Sequence, residues 1–167
     1  MVGSPAANSQ TFRVSTPADN VIVLTRLFNA PRQLVFDVMS KPEHVRRWWG
    51  NLGEGYSVPV CEIDFRVGGK WRFVNAHPNG EAAFYGEYRE IDPPGRIVFT
   101  EIFEPFPDAV SVVTSVLTEE NGKTRLTATC AYPSKDVRDM VIGTGMEKGA
   151  ALSYDRLEDL TQELQLS

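Results

Sequence analysis

Residues 58–74 have the sequence Val-Pro-Val-Cys-Glu-Ile-Asp-Phe-Arg-Val-Gly-Gly-Lys-Trp-Arg-Phe-Val and determine the fold class. Apolar and polar side chains alternate on both sides of Gly68-Gly69, which is typical of two antiparallel strands joined by a tight turn. Further alternating segments follow, and then a long segment with helical spacing. We therefore predict an α+β domain in which a curved antiparallel sheet grips a C-terminal helix, a layout that usually encloses a pocket.

Five or six strands are predicted after residue 57, because clusters of Gly, Pro, Asn and Asp separate the alternating segments. Strands that are so closely connected pair antiparallel. These segments are Val58–Val67, Lys70–Ala76, Ala83–Ile91, Arg96–Phe103, Ser111–Leu117 and Thr124–Tyr132. Upstream, we expect a hairpin from Thr11–Ser15 and Asn20–Phe28.

Helices are predicted in two places. Pro31 suits the first turn of a short helix, and a second short helix is expected from Pro42 to Trp48 or Trp49. After the strands, Ser134 can cap a short helix that reaches about Ile142.

The last predicted helix is the longest. Thr144 and Glu147 have the spacing of a capping box, so this helix should begin near Gly145 and run to about Leu166. Its sheet-facing stripe is Met146, Gly149, Ala150, Ser153, Leu157, Leu160 and Leu164. Three acidic residues are expected to face water: Glu158, Asp159 and Glu163.

The length of 167 residues fits one domain, which we place at residues 11–167 after a flexible extension at residues 1–10. The chain is 42% hydrophobic, and no apolar run is long enough to span a bilayer. A net charge of −5 with scattered basic residues disfavours nucleic acid and membrane surfaces as partners. We expect a monomer or a weak homodimer.

The N-terminus lacks the basic and apolar regions of a signal peptide. Cys61 and Cys130 both lie in predicted strands, which favours two buried reduced thiols over a disulfide. We therefore expect a cytoplasmic protein.

Several short pieces resemble the family of homologues of the activator of heat-shock protein 90 ATPase. In chain order they are Ala30-Pro31, Pro42–His44, Trp48–Gly50, Asp64–Gly69, Gly86–Ile91, Pro93-Pro94 and Gly122–Thr124. That family is part of the START-like, birch-pollen-allergen-like (SRPBCC) superfamily of helix-grip folds. The resemblance covers residues 11–164.

This resemblance implies a cavity between the concave sheet and the long helix that holds an apolar small molecule. The superfamily includes lipid-transfer proteins, polyketide aromatases and cyclases, hormone receptors and chaperone activators, so function follows only by analogy. Where the family often has Gly-Trp in the long helix, this chain has Gly149-Ala150. The missing indole indicates a larger or more open cavity.

The sequence offers no motif for a metal, a cofactor or a nucleophile. His44 and His77 have no Cys, Asp or Glu at metal-site spacing. No phosphate loop, dinucleotide fingerprint or nucleophile elbow occurs, so we assign no catalytic residue, metal or cofactor.

Strand parity selects the candidate ligand-binding residues. Glu101 shares a strand face with Phe99, which places a carboxyl group among apolar neighbours unless it lies near enough to the strand end to reach water. Trp49 is interpreted as packing or as the rim of a pocket. The complete candidate set is Trp49, Trp71, Phe73, Tyr88, Phe99, Glu101, Val113, Met146, Ala150 and Tyr154. An ordinary core uses the same residue types.

Three functions are compatible with this pattern. The first is binding of a small apolar ligand, aromatic or acyl. The second is a cyclase- or hydrolase-type enzyme that uses Glu101 with Tyr88 or Tyr154, although no nucleophile–base arrangement is visible. The third is a chaperone activator that binds another protein, which a single domain favours least. We favour binding over catalysis.

Overall fold

The computed structural model describes residues 8–166, which form a helix-grip α+β domain. The strands are β1 (Arg13–Ala18), β2 (Val21–Phe28), β3 (Ser57–Ile63), β4 (Lys70–His77), β5 (Gly80–Asp92), β6 (Arg96–Phe103), β7 (Ser111–Glu120) and β8 (Lys123–Ala131). The helices are α1 (Arg32–Ser40), α2 (Pro42–Trp48), α3 (Lys135–Gly143) and α4 (Met146–Leu166).

All eight strands form one sheet in the order β1-β2-β8-β7-β6-β5-β4-β3. Every neighbouring pair is antiparallel, as the short turns predicted. The long pairing of β2 with β8 joins the N-terminal hairpin to the later strands. The predicted fold class is therefore confirmed.

The turn between β3 and β4 is longer than the Gly-Gly pair suggested. The Asp64 N–H donates to the Lys70 carbonyl and the Gly69 N–H donates to the Arg66 carbonyl, so the chain leaves the sheet after Ile63. Val67, predicted to lie in the strand, is 61% exposed. Gly68 has a φ of 84°, the left-handed conformation that glycine adopts without strain.

The core lies between the concave face of the sheet and the helices. Ile22, Phe28 and Leu126 from the sheet are fully buried, as is Leu157 of α4. Each such side chain contributes about 1.5–3 kcal/mol when it leaves water. This packing holds α4 against the sheet and thereby positions the candidate site.

The junction of α3 and α4 differs from the predicted capping box. Ser134 caps α3 as predicted, because its Oγ accepts from the Val137 N–H. Thr144 instead ends α3, and its hydroxyl donates to the Val141 carbonyl. Since Gly145 has a φ of 81°, the chain reverses there before α4 begins at Met146.

The folded part of the chain begins before residue 11. Asn8 is buried and its Nδ2 donates to Glu158 Oε1 at 2.6 Å, so Asn8 is part of the packed domain. The rest of the predicted extension, residues 1–7, lies outside the described residues. Within residues 8–166, no helix combines the length and apolarity that crossing a membrane requires.

Candidate functional site on the concave face

Most of the predicted site residues lie on the concave face of the sheet. Cross-strand pairing places Phe99 of β6 between Tyr88 of β5 and Val113 of β7. Trp71 and Phe73 are two residues apart on β4 and share this face. All five side chains belong to the core or pack against it.

Five of the predicted aromatic side chains form one continuous group. Ring centroids are 4.7 Å apart for Trp71 and Phe73, 5.7 Å for Trp71 and Phe99, and 6.2 Å for Tyr88 and Phe99. Trp49, which directly follows α2, contacts Phe73 at 5.0 Å. The Trp71–Phe73 pair is tilted and the other three are edge-to-face, a geometry that adds about 0.5–1.5 kcal/mol per pair beyond simple burial.

The Trp71 indole is fixed by the backbone beneath it. Its Nε1 donates to the Thr100 carbonyl at 3.1 Å, across a gap that Gly86 leaves open. A Cβ on Gly86 would lie 1.8 Å from that carbonyl oxygen and 2.7 Å from Trp71 Nε1. Any other residue at position 86 would therefore displace the indole.

Glu101 is the charged member of the predicted set. It is only partly exposed, and its carboxyl group has no hydrogen-bond or ion-pair partner within residues 8–166. Burial raises its pKa from 4.5 to about 7, because the surrounding protein disfavours the ionised form. The structure thus places an acid with a raised pKa close enough to Tyr154 of α4 to affect the pKa of its hydroxyl.

Three neutral polar groups lie near Glu101. Burial raises the pKa of the Cys130 thiol to about 12, and the Glu101 charge adds to this effect. The pKa values of the Tyr132 and Tyr154 hydroxyls are raised first by burial and further by Cys130 and Glu101. All three groups therefore remain protonated at neutral pH.

The helix side of the site is less continuous than predicted. Tyr154 is buried, but its nearest ring contacts are Phe12 and Phe28, each at 5.9 Å, and not the Trp71 group. Met146 and Ala150 lie on the first turns of α4 and are half-buried against the core. The structure therefore divides the ten predicted residues into an aromatic group on the sheet and a helix wall.

Two surface grooves lie elsewhere. One, of about 290 Å³, is lined by Arg47, Arg156, Asp159, Leu160 and Glu163. The other, of about 420 Å³, is lined by residues of β4, β5 and the end of β6, including Arg72, and by Glu104 and Pro105 directly after β6. Neither is lined by Glu101, Ala150 or Tyr154, so the cavity beneath α4 stays a prediction.

A buried polar cluster around Glu158 was missed by the sequence analysis. Glu158 was expected to face water, which is wrong, since its exposed fraction is 0%. Its carboxylate accepts from Asn8 Nδ2 at 2.6 Å, and from Arg26 Nη1, the Asn29 N–H and Gln162 Nε2 at 3.1 Å each. The buried face of α4 is wider than the predicted sheet-facing stripe, so the Glu158 side chain points toward β2.

Arg26 supplies the positive charge of this cluster. Its Nη2 donates to Asp155 Oδ1 at 2.8 Å, and its Cζ lies 4.6 Å from the centre of the Phe28 ring. Its Nε is buried without a hydrogen-bond partner in the described part of the chain. A signal existed in the sequence, because Arg26 alternates with Ile22, Leu24 and Phe28 on the inward face of β2.

Metal ligation finds no support in the geometry. No group of three or more His, Cys, Asp or Glu side chains within residues 8–166 is arranged to hold a metal ion. Cys61 and Cys130 are both buried, as predicted, and neither is joined to another cysteine in the described structure.

Solved structures share this fold over two thirds of the chain or more. A protein from Rhodobacter sphaeroides is 20% identical, with a TM-score of 0.83, and the match covers 91% of this chain and 99% of that one. A Mycobacterium smegmatis protein is 26% identical, with a TM-score of 0.80 and coverage of 89% and 94%. An HSP90 activator from Plasmodium falciparum is 22% identical, with a TM-score of 0.54 and coverage of 67% and 72%.

Sequence comparison identifies the family. No curated protein matches the chain. The family model for Activator of Hsp90 ATPase homolog 1-like protein matches residues 29–162, which extend from the end of β2 into the last turns of α4. The chain therefore belongs to the family of Activator of Hsp90 ATPase homolog 1-like proteins.

Proposed function

We propose that this protein binds a small apolar ligand, aromatic or acyl, in a cleft between the concave face of the sheet and α4. The observation that carries the proposal is the environment of Glu101. Its surroundings raise its pKa to about 7, yet part of its surface stays accessible. Deep placement together with access is what the floor of a cleft provides, whereas a packed core would cover the side chain and a free strand end would leave its pKa near normal.

The apolar side chains around Glu101 support the same proposal. Phe84, Phe99 and Phe103 are only half-buried, although Phe84 and Phe103 stack at 5.1 Å on the sheet. Aromatic surface left accessible next to a carboxyl group gives a ligand apolar area to cover and one polar group to address. Covering about 100 Å² of such surface is worth about 2.5 kcal/mol.

The first turns of α4 support a cleft that is open on the helix side. A Cβ at Gly149 would meet no heavy atom within 4 Å, and the neighbouring Ala150 presents a single methyl group. Small side chains at these positions are what a cleft between helix and sheet requires. An indole at position 150, as the family resemblance implies, would occupy that cleft.

Two other functions compete with this proposal. An enzyme would use Glu101 as an acid or base, but among residues 8–166 no hydrogen bond joins its carboxyl group to the hydroxyl of Tyr88 or of Tyr154. A chaperone-activator role rests on the family name and on the Plasmodium falciparum HSP90 activator, whose likeness at 22% identity shows the fold alone. We propose the cytoplasm as the compartment, because two free thiols are compatible with reducing conditions.

Titration with the neutral dye Nile red tests the binding proposal. We expect saturable fluorescence enhancement with about one site and a Kd at or below tens of micromolar, which corresponds to about 6 kcal/mol or more. Enhancement that requires partial denaturation would contradict the proposal, since it would indicate a packed core. Native mass spectrometry of protein purified from its host then distinguishes a retained ligand from a converted substrate.

A pair of matched variants locates the dye. Ala150→Trp should fold and weaken dye binding at least tenfold, about 1.4 kcal/mol, because the indole fills the cleft. Leu152→Trp adds an indole two residues further along α4, at a position that is 38% exposed, and should leave the affinity unchanged. A destabilised Ala150→Trp with unchanged affinity would refute the location, because overpacking of a solid core costs about 1–3 kcal/mol.

A further inference from the structure

We infer that the ligand carries a hydroxyl or a protonated amine at the end that contacts Glu101, and that this site selects against carboxylate ligands. The inference rests on the proposed binding function and adds the chemical class of the ligand. It makes Glu101 the residue that determines specificity. Fatty-acid anions, which a plain apolar cleft would accept, would then be poor ligands.

The first step is the absence of a cation at Glu101. No Lys or Arg side chain of residues 8–166 lies within 4.0 Å of its carboxyl group. Arg26, the basic residue on the concave face of β2, is already paired with Asp155 and Glu158. A bound carboxylate would therefore enter a partly desolvated site without a countercharge.

The second step is the unmet hydrogen-bonding capacity of Glu101. Ser111, its partner on β7, donates its hydroxyl to the Glu101 backbone carbonyl at 2.9 Å and not to the carboxyl group. The carboxyl oxygens are therefore left as acceptors in the described structure. A ligand hydroxyl or ammonium group supplies the donor that they lack, and bonds to a charged acceptor are the stronger ones.

The third step is the pH range in which this selection operates. Cys130 and Tyr132 at the end of β8, and Tyr154 of α4, face Glu101 and stay neutral at neutral pH because burial raises their pKa values. Glu101 is therefore the group here that changes charge near pH 7. As the pH rises from about 6 to about 8, affinity for an amine should rise and affinity for a carboxylate should fall.

The test uses four ligands that share one ring system. They are 1-naphthylmethylamine, 1-naphthylmethanol, 1-methylnaphthalene and 1-naphthylacetate, each measured by displacement of Nile red from the whole chain. At pH 8 we expect the amine and the alcohol to bind at least tenfold more tightly than the carboxylate. At pH 6 the gap between amine and carboxylate should shrink at least threefold.

Two variants assign the selectivity to Glu101. Glu101→Gln should remove the pH dependence and reduce the discrimination against naphthylacetate to less than threefold. Glu119→Gln removes the same charge from an exposed site and should retain the wild-type pattern. The wild-type pH series tests the inference even if Glu101→Gln is unstable.

The ligand measurements distinguish failure of this inference from failure of the proposed binding function. If all four ligands bind with similar affinity and Ala150→Trp still blocks them, the cleft stands and the inference is overturned. If 1-methylnaphthalene and Nile red fail to bind the native protein, the proposed function itself fails. Tighter binding of the carboxylate than of the amine would also overturn the inference.

Discussion

Glu101 of β6 and Glu158 of α4 are two acidic residues with opposite surroundings. Glu158 is fully buried and accepts hydrogen bonds from four residues, among them the Arg26 guanidinium. Glu101 keeps some exposure but has no partner in the described range. Burial of a carboxyl group therefore does not by itself indicate a role, whereas the supply of donors around it does.

The difference in hydrogen-bond partners indicates different roles for Glu158 and Glu101. Glu158 connects the N-terminal segment, β2 and the chain after β2 to α4, so its bonds fasten the gripping helix to the sheet. The bonds of Glu101 are left unmade, which costs stability unless a ligand completes them. The Glu158 carboxylate stabilises the attachment of α4 to the sheet. The Glu101 carboxylate remains available as an acceptor for a ligand.

The largest expected effect comes from removing the charge of the paired residue. Glu158→Gln keeps the shape of the side chain but leaves the buried Arg26 with Asp155 as its single acidic partner. We expect a loss of about 3–5 kcal/mol in the free energy of unfolding, because removing one partner of a buried ion pair is strongly unfavourable, and the partly exposed Asp155 compensates the Arg26 charge only in part. Urea denaturation at pH 7 measures this change.

The matched control removes both charges together. Arg26→Met combined with Glu158→Gln should be more stable than Glu158→Gln alone, since no charge is then buried in the cluster and the amide oxygen still accepts from neighbouring donors such as Asn8 and the Asn29 N–H. A loss below about 1 kcal/mol for Glu158→Gln would mean that this cluster is solvated, and the contrast with Glu101 would disappear.

The second effect has the opposite sign. The pKa of Glu101 is raised in the folded protein, so the wild type should lose stability as the pH rises from about 4.5 to about 7. Glu101→Gln removes this loss and should stabilise the protein by about 2 kcal/mol at pH 8, after allowance for partial exposure, and by almost nothing at pH 4. Thermal melting at both pH values measures it.

A uniform effect of Glu101→Gln at both pH values would contradict the raised pKa. A destabilisation at pH 8 would go further, because it would show that the Glu101 carboxylate has a partner in solution after all.

An intermediate effect is expected at the edge of the paired cluster. Asp155 bonds to the same guanidinium as Glu158, but its side chain is 34% exposed. Asp155→Asn should cost about 1 kcal/mol, because water replaces part of the lost interaction. Equal losses for Asp155→Asn and Glu158→Gln in the same urea series would show that burial does not separate the two partners of Arg26.

The smallest effect belongs to an exposed pair. Asp64 and Arg66 form an ion pair at 2.9 Å, with side chains that are 52% and 71% exposed. Asp64→Asn should change the free energy of unfolding by less than about 0.5 kcal/mol. A larger loss in urea denaturation would indicate that the β3–β4 turn depends on this carboxylate beyond the ion pair.

The sequence predicted the fold more fully than the site, for a physical reason. Strand alternation and turn residues act locally, so β6 was predicted with its observed bounds, Arg96–Phe103. Strand parity also predicted that Phe99 and Glu101 share a strand face, and Phe99 packs against the core from that face. Parity carries no information about the partners of a side chain, and the interaction of Glu158 with Arg26 spans 132 residues.

Helix ends show a second limit of local reasoning. The residues from Thr144 to Glu147 fit a capping box, but the last turn of α3 already uses the Thr144 hydroxyl. Thr144 can cap either the end of α3 or the start of α4, and the packing of the two helices decides which. The same holds for Asn8, whose role depends on a residue at the far end of the chain.

The three tryptophans make the protein its own optical probe. The indoles of Trp48 and Trp71 are buried and donate to backbone carbonyls, so their emission should respond little to events on the surface. Trp49 is half-buried and lies against Phe73 and Phe84 at the aromatic wall. Quenching of fluorescence by acrylamide should therefore report mainly on Trp49. A decrease in this quenching when a ligand is added would show, without any label, that the ligand covers Trp49.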